Sequence, residues 1–387
     1  MLQTPIANRI HISFFGCTNA GKSSLVNAIT NQDLAVVSSI KGTTTDPVSK
    51  SMELLPLGPV VIIDTPGFDD MSALGEKRIE KTNKVLAKTD IAILVVDINI
   101  KISDKDKELI ELFKSHNTPY LVVYNKSDSG KILENKLCVS AKTGENIELL
   151  KEEIIKLKPE KIEKFIIKDK LKQGERVILV IPIDESAPKG RIILPQQNVL
   201  RELLDNHNSI ICCQTEELKD SLKYHPSLVI TDSQAFNKVS KIVPDEILLT
   251  SFSILFARFK GNLQSLIESA QEIDKIENNA KILISEGCTH HRQCNDIGTV
   301  KIPNWIKSHT KKDFDFHFTQ GGEFPNDLKD YSLIIHCGGC MLNEKEMQYR
   351  ISKAKEQGVK IVNYGILIAY MNGILSRAVK IFPEIKL

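Results

Sequence analysis

The feature that most constrains the fold is a glycine-rich run behind a short apolar segment near the N-terminus. Residues 16–23 read GCTNAGKS and fit the pattern G-x-x-x-x-G-K-[ST]. The apolar run Ile10–Phe15 precedes it, and the amphipathic stretch SSLVNAIT follows. A strand, a tight turn and a helix in this order direct backbone N–H groups toward phosphate oxygens at the positive helix end. The run therefore predicts a phosphate-binding loop in which Lys22 contacts the outer phosphates and Ser23 binds Mg²⁺.

A second motif, Asp64-Thr-Pro-Gly67, ends the apolar run Val60–Asp64. An aspartate at the carboxyl end of a strand can hold Mg²⁺ through water, and the Gly67 N–H can meet the γ-phosphate. The motif predicts the metal side of a nucleotide site.

A third motif, Asn125-Lys126-Ser-Asp128, ends the run Tyr120–Tyr124. The Asp128 carboxylate can accept two hydrogen bonds from guanine N1–H and the exocyclic amine, a pattern that adenine does not offer. Residues 140–142, Ser-Ala-Lys, follow the short run Leu137–Val139 and are expected to support the base.

These elements, in this order and spacing, resemble the TRAFAC class of GTPases over about residues 8–158. The resemblance implies a parallel sheet covered by helices and a site for GTP. The nucleotide-binding residues that it implies are Asn19, Ala20, Gly21, Lys22, Ser23, Ser24, Thr44, Asp64, Gly67, Asn125, Lys126, Asp128, Ser140, Ala141 and Lys142.

Two details narrow the subgroup. Phe68 stands after the Asp-Thr-Pro-Gly motif, where Ras-like proteins carry a glutamine that orients the attacking water, so hydrolysis must depend on another group. Asn19 and the run 41–46, KGTTTD, resemble the cation-dependent GTPases of tRNA modification and ribosome assembly. That resemblance implies Asn19 as a K⁺ ligand and Thr44 as a Mg²⁺ ligand; the alternative for Asn19 is a loop residue that caps its own turn. The residues expected to act in hydrolysis are Lys22, Asn19, Thr44 and Gly67.

The rest of the chain also alternates apolar runs with helix-like stretches. With 387 residues, the simplest partition is three α/β domains at residues 1–162, 175–265 and 266–387. The middle domain includes Cys212-Cys213 in an apolar run, for which core packing is the favoured interpretation. The apolar stretch ILLTSFSILFARF fits either a buried element or an oligomer interface.

Composition excludes several classes of protein. Lys and Arg total 51 against 49 Asp and Glu, so the net charge is +2, which argues against nucleic-acid and polybasic membrane binding. No apolar run approaches the roughly 18–20 residues of a membrane span, and no secretory signal is recognisable. We therefore expect a cytoplasmic protein without nucleic-acid or membrane partners, in which the eight cysteines are not paired as disulfides.

Cysteines and histidines cluster in two runs of the last domain. Cys288-Thr-His290-His291 follows KILISEG, and His336-Cys337-Gly-Gly-Cys340 follows YSLII. Loops at the carboxyl ends of neighbouring strands converge at one sheet edge, as a shared ligand site requires. From the residues alone, a structural zinc site, an iron–sulfur cluster, a redox dithiol and buried structural cysteines all remain open.

The C-x-H and H-C-x-x-C runs behind a K⁺-type GTPase domain are similar to HydF, the family of [FeFe]-hydrogenase maturation GTPases. The run CTHHRQCNDIGTVKIP and the three-part layout extend the similarity over the chain. The resemblance implies a [4Fe–4S] cluster on Cys288, Cys337 and Cys340 and a homodimer or larger assembly formed by the middle domain. It also implies a scaffold or carrier for the di-iron subcluster, with two radical-SAM maturases and apo-[FeFe]-hydrogenase as partners.

Three thiolates leave one iron of a cubane cluster for a weaker or exchangeable ligand. Candidates for that fourth position are His290, His336 and Asp184, with hydrogen bonding to thiolates or backbone as the alternative for the histidines. Cys294 is a further candidate, and His291 is expected to be structural. The competing hypothesis for the whole chain is a K⁺-dependent RNA- or ribosome-associated GTPase with a zinc-stabilised accessory domain. The low aromatic content of 6% and the small net charge disfavour it.

Overall fold

The computed structural model describes residues 4–31, 47–69, 75–130, 133–158, 164–183, 190, 192–288 and 296–387. The chain divides into two units, Met1–Ile162 and Glu163–Leu387. None of the helices in the described ranges combines the length and apolar character that crossing a membrane requires.

The first unit is built on a six-stranded sheet in the order β2-β3-β1-β4-β5-β6. Its strands are β1 (Ile10–Phe15), β2 (Val48–Leu54), β3 (Gly58–Asp64), β4 (Ile91–Asp97), β5 (Tyr120–Asn125) and β6 (Leu137–Val139). All neighbours pair in parallel except β2, which pairs antiparallel with β3. Parallel strands bring their carboxyl ends to one edge, and the three nucleotide motifs follow β1, β3 and β5 at that edge.

Helices α1 (Lys22–Thr30), α2 (Gly75–Leu86), α3 (Asp104–Ser115) and α4 (Ile147–Lys156) accompany this sheet. The start of α3 is fixed by a reciprocal capping box between Ser103 and Asp106. Successive side chains of β1 enter different apolar clusters, because Phe14 packs in one and Phe15 in the other. Both faces of the sheet are therefore buried, as a parallel sheet requires.

The second unit contains two four-stranded parallel sheets, ordered β10-β9-β7-β8 and β12-β11-β13-β14. The strands are β7 (Arg176–Val180), β8 (Ser209–Cys213), β9 (Leu228–Thr231), β10 (Leu248–Ser251), β11 (Lys281–Glu286), β12 (Asp315–Gln320), β13 (Leu333–His336) and β14 (Lys360–Asn363). One continuous apolar core, from Ile166 to Phe382 in sequence, includes side chains from both sheets.

Ten α-helices accompany these sheets in the described residues of this unit, with a π-helical turn at Ile297–Lys301. The α-helices are α5 (Leu194–Asp205), α6 (Leu218–Ser221), α7 (Phe236–Ile242), α8 (Phe252–Lys260), α9 (Leu263–Ala270), α10 (Glu272–Lys275), α11 (Ile302–Thr310), α12 (Glu344–Glu356), α13 (Tyr364–Met371) and α14 (Leu375–Ala378). The apolar stretch ILLTSFSILFARF forms β10 and α8, and its Phe252, Ile254 and Phe256 are buried in the core. Of its two interpretations, the structure confirms the buried element.

Three expectations at the level of single elements were wrong or incomplete. After the apolar run Ile247–Phe252, the sequence pattern predicts one helix reaching about Glu277, but the chain forms α8, α9 and α10. The first break follows from the turn at Gly261 and from Asn262, whose side chain starts α9 by accepting the Ser265 N–H. The antiparallel strand β2 was not predicted. The prediction that Cys212 packs in the core was wrong, because β8 is an edge strand and Cys212 is exposed on it. Cys213 is half-buried.

Candidate functional site

The glycine-rich loop between β1 and α1 is closed by Lys22. Its Nζ donates to the carbonyl oxygens of Gly16 at 3.0 Å and Cys17 at 2.9 Å. The side chain is buried, which lowers the pKa of Lys22, while nearby Asp64 raises it. These two carbonyls use two of the three ammonium N–H donors, which leaves the third for a phosphate oxygen of a nucleotide.

Two glycines of the site have no room for a side chain. Gly21 has a φ of +89°, and a Cβ there would lie 2.2 Å from Asn125 Nδ2. A Cβ at Gly67 would lie 2.2 Å from Thr18 Oγ1. Asn19 is exposed in the loop with a φ of +63°, a conformation that asparagine tolerates better than most residues. Close approach between loops therefore explains both glycines.

The predicted metal residues Ser23 and Asp64 are in contact. Ser23 Oγ donates to Asp64 Oδ2 at 2.5 Å. Asp64 is 1% exposed, and its Oδ1 has no hydrogen-bond partner among the described residues. Burial raises the pKa of Asp64, and the Ser23 hydrogen bond and Lys22 oppose that rise. A buried carboxylate oxygen without a donor fits Mg²⁺ or a water that the ion carries. Ser24 is half-buried in the same turn, and Thr44 lies outside the described residues.

Asn125 connects the three loops that surround the predicted base site. Its Nδ2 donates to the Ala20 carbonyl at 3.1 Å, and its Oδ1 accepts the Ala141 N–H at 3.1 Å. Ser140 Oγ donates to Asp128 Oδ1 at 2.8 Å. The Asp128 carboxylate is therefore oriented by its neighbour before any base binds.

Two lysines of the predicted base site each lie close to a carboxylate. Lys126, with a φ of +72°, pairs its Nζ with Asp97 Oδ2 at 2.6 Å. Lys142 Nζ lies 3.9 Å from Asp128 Oδ2. The structure thus brings together all the nucleotide-binding residues expected from the sequence that fall in its described ranges.

The segment after β3 holds a residue that sequence reasoning missed. Phe68 is 3% exposed and packs in the core, and its N–H donates to the Gly16 carbonyl at 3.1 Å. The next residue, Asp69, accepts the Thr18 N–H of the phosphate loop. Burial raises the pKa of Asp69, but the Thr18 hydrogen bonds outweigh it and leave the pKa below its usual value. The only sequence signal for the contact between Asp69 and Thr18 was the position of Asp69 just after the Asp-Thr-Pro-Gly motif.

The predicted cysteine site lies in the second unit, where two loops meet at one sheet edge. Cys288 follows β11, and Cys337 and Cys340 follow its parallel neighbour β13. The Gly287 N–H donates to Cys337 Sγ at 3.0 Å, and the Gly339 N–H donates to the same sulfur at 3.4 Å. Backbone N–H groups aimed at a sulfur stabilise a thiolate, so the surroundings of Cys337 suit a metal ligand.

The thiols interact electrostatically. Burial raises the pKa of Cys288 to about 12, with Cys337 and then Cys340 as further causes. Burial also raises the pKa of Cys337 to about 11, against the two N–H donors. Among the described residues, no group of three or more His, Cys, Asp or Glu side chains is set to hold a metal ion. The raised pKa values favour the protonated thiols of Cys288 and Cys337, so metal loading has to release their protons.

His336 is fully buried and both of its ring nitrogens are engaged. Nδ1 lies 2.7 Å from the Cys337 carbonyl and Nε2 lies 3.1 Å from Arg350 Nη1. A guanidinium only donates, so Nε2 accepts and Nδ1–H donates. Burial and the neighbouring Arg350 charge together lower the pKa of His336 to about 3, against the hydrogen bond to Cys337. In this arrangement His336 orients the cysteine loop and has no nitrogen left for iron. The other residues considered for the fourth position lie outside the described residues: His290, Cys294 and Asp184, together with His291.

Two buried cations support the cysteine loop, and sequence reasoning found neither. Arg350 is 1% exposed and also donates to the Gly321 carbonyl at 2.6 Å and to Glu346 at 2.8 Å. Lys260 is 2% exposed and contacts the loop itself. Burial lowers the pKa of Lys260 to about 8. A lysine ending the apolar run of α8 was the available signal for Lys260, and the sequence around Arg350 carries none.

Comparison with family models divides the chain into three matched regions. Residues 11–126 match a model described as 50S ribosome-binding GTPase. Residues 166–261 match the hydrogen maturase F dimerization domain, and residues 264–381 match the hydrogen maturase F tetramerization domain. The two hydrogen maturase F models together match more than half of the chain.

Similar curated proteins match the GTPase region. GTPase Der of Wolinella succinogenes is 34% identical over 170 residues, covering 39% of this chain and 36% of that protein. The tRNA modification GTPase MnmE of Lactococcus lactis subsp. cremoris is 32% identical over 170 residues, covering 43% of this chain and 36% of that protein. The chain thus spans about a third of the length of these relatives. A crystal structure of an Aquifex aeolicus Era variant bound to GDP and AlF4⁻ is 20% identical, with a TM-score of 0.35 over 52% of this chain and 91% of that chain.

Proposed function

Because the chain belongs to the hydrogen maturase F family, we propose that it is a GTP-hydrolysing scaffold that holds a [4Fe–4S] cluster and assembles or delivers the di-iron subcluster to apo-[FeFe]-hydrogenase. The observation that carries the proposal is the meeting of two cysteine loops at the edge of β11 and β13, in a chain that also has a GTPase domain. Neither feature alone distinguishes a maturase from other GTPases or other metalloproteins.

GTP binding follows from the charges and donors of the first unit. Lys22 supplies a buried positive charge at the phosphate loop, and Ser23 with Asp64 supplies oxygen ligands for Mg²⁺. Asp128, oriented by Ser140, accepts from guanine. Magnesium, when bound, neutralises charge on the phosphate oxygens, and these side chains position it and the nucleotide.

Hydrolysis in this proposal depends on K⁺. Phe68 is buried and cannot orient a water, so the charge that develops on the phosphates needs another source of stabilisation. Asn19 is exposed in the phosphate loop, where its side-chain oxygen is available to a cation beside the phosphates. Thr44, in residues 41–46, is the further Mg²⁺ ligand that this proposal expects.

The cluster site uses Cys288, Cys337 and Cys340. A bound cluster would supply an iron with an exchangeable fourth ligand, which is what a site for an incoming metal complex needs. Since both His336 nitrogens are engaged by neighbours, His290, Asp184 and Cys294 are the remaining proposals for that ligand.

The proposal includes the assembly and partners of the chain. Residues 175–265 would form the homodimer and residues 266–387 would carry the cluster, as the family resemblance implies. Radical-SAM maturases would load the scaffold, and apo-[FeFe]-hydrogenase would receive the product. A reducing, cytoplasmic setting follows for a chain whose thiols have to stay free for metal.

A maturation assay tests this function. Wild-type chain, incubated with the two radical-SAM maturases and their substrates and then separated from them, should activate apo-[FeFe]-hydrogenase to evolve hydrogen. Cys337→Ser should fail, and Cys212→Ser, which changes an exposed cysteine of β8, should match wild type. Equal activation by Cys337→Ser would contradict the proposal.

A second assay tests the cation. GTP turnover by the wild type should be faster in KCl than in NaCl at equal ionic strength, and Asn19→Ala should remove the difference. Equal turnover in the two salts would contradict the K⁺ part and leave the scaffold part standing.

A further inference from the structure

Lys260 is a charged residue in an apolar environment. It is the last residue of α8, whose Phe256 and Ala257 are buried in the core, and it is itself 2% exposed. Lysine is almost never fully buried unless its ammonium has partners, so a specific set of contacts must hold it there.

Those contacts are three carbonyl oxygens of the cysteine loop. Lys260 Nζ lies 2.8 Å from the Gly339 oxygen, 3.2 Å from the Cys340 oxygen and 2.7 Å from the Leu342 oxygen. An ammonium has three N–H donors and a neutral amine has two, so three acceptors suit the charged form. Carbonyls are neutral, and these contacts orient the positive charge without neutralising it.

Both ends of Lys260 are fixed. Gln348 Nε2 of α12 donates to the Lys260 carbonyl at 2.7 Å, and the ammonium lies 5.5 Å from the centre of the Phe256 ring. Within the loop, the Leu342 N–H donates to the Gly339 carbonyl at 3.1 Å, and Gly339 has a φ of +60°. Removing the ammonium would leave carbonyls of this turn without their donor, which favours a different loop conformation.

The positive charge of Lys260 also affects how strongly the cysteine loop would hold a cluster and how easily that cluster would be reduced. Three thiolates around an iron–sulfur cluster make the site anionic, and one-electron reduction adds a further negative charge. Hydrogen bonds and charges around the ligands tune both metal affinity and reduction potential. A fixed ammonium against the loop carbonyls would stabilise an anionic cluster held there, and would stabilise its reduced form more than its oxidised form.

We propose that Lys260 is a positioning residue of the cluster site, which holds the loop from Cys337 to Leu342 in its ligand-binding conformation and raises the reduction potential of the bound cluster. The inference rests on the cluster site proposed above. It assigns to the end of α8, in the region matched by the dimerization-domain model, a direct role in the cysteine site of the next region.

The test compares Lys260→Met, Lys260→Arg and Lys312→Met in the full chain after anaerobic reconstitution. Lys312 is the matched control, because its Nζ also donates to backbone carbonyls, those of Asp274 and Ile276, outside the cysteine loop. The two measurements are the rate of iron loss to a chelator and the midpoint potential from an EPR-monitored dithionite titration.

Lys260→Met should lose iron about 10- to 100-fold faster than wild type and should show a more negative midpoint potential. Lys260→Arg, which keeps the charge, should return the potential toward the wild-type value, and Lys312→Met should match wild type. If Lys260→Met does not fold, Lys260→Gln provides the same comparison with an uncharged side chain.

Failure of the inference is distinguishable from failure of the proposed function. A wild type that holds a cluster, with Lys260→Met unchanged in both measurements, would overturn the role of Lys260 and leave the cluster site standing. A wild type that binds no iron on reconstitution would overturn the cluster site and the inference together.

Discussion

Replacing Asp128 by asparagine should convert the nucleotide site from guanine to xanthine recognition. Ser140 Oγ donates to Asp128 Oδ1, and the asparagine oxygen can accept the same hydrogen bond, so the loop should keep its conformation. The new amide N–H₂ then stands where the carboxylate accepts from guanine. Two hydrogen bonds to a charged acceptor are lost, each worth about 1.5–3 kcal/mol.

The expected loss is therefore about 3–6 kcal/mol, or about 10²- to 10⁴-fold in the Kd for GDP. Titration of a fluorescent GDP analogue, with competition by unlabelled GDP and xanthosine diphosphate, measures it. Xanthine carries a carbonyl in place of the exocyclic amine, so the variant should prefer xanthosine diphosphate. Glu148→Gln, a change of an exposed carboxylate on α4, is the control. A variant that binds GDP within threefold of wild type would refute the assigned role of Asp128.

Three further changes test other parts of the account. Gly21→Ala should abolish GDP binding in the same titration, because the added methyl would lie 2.2 Å from Asn125 Nδ2; wild-type affinity would show that the loop adapts. Arg350→Met should lower the free energy of unfolding by about 3–5 kcal/mol in a urea titration followed by circular dichroism, because buried acceptors, His336 Nε2 among them, lose their donor. A change below about 1 kcal/mol would contradict that. Cys212→Ser should leave iron content unchanged, since Cys212 is exposed on an edge strand; loss of iron would contradict the ligand set.

Much of the first unit was predictable because its functional residues are contiguous in sequence. Each nucleotide motif directly follows a strand, so recognising the strand also positions the motif at the shared sheet edge. The bounds of β1 and β6 agree with the apolar runs Ile10–Phe15 and Leu137–Val139. The strand β2 was missed because it is an antiparallel edge strand whose residues are mostly exposed or half-exposed, which leaves no apolar run.

The cysteine site was only partly predictable. The spacing of Cys288, Cys337 and Cys340 indicated that two loops converge, and the pairing of β11 with β13 explains how they meet. The loop's supports lie far away in sequence. Lys260 contacts carbonyls about 80 positions later, and no local periodicity encodes a contact of that range.

His336 shows a different limit. From the sequence it was a candidate iron ligand, because it precedes Cys337 in the motif. Whether a histidine binds metal depends on what its two nitrogens already contact, and here a backbone carbonyl and a guanidinium engage both. Arg350, on the following helix, is the residue that decides this, and nothing in its local sequence distinguishes it from a surface arginine.

A GTPase domain and an iron–sulfur site are proposed to share this chain, and the metal content of the purified protein is the direct test. The chain should be purified anaerobically, reconstituted with iron and sulfide, and assayed for iron, acid-labile sulfide and zinc, alongside Cys288→Ser, Cys337→Ser and Cys340→Ser. The wild type should be a brown protein with about four iron and four sulfide per chain, and each variant should lose them. A colourless protein with about one zinc, or a normal cluster in all three variants, would contradict it.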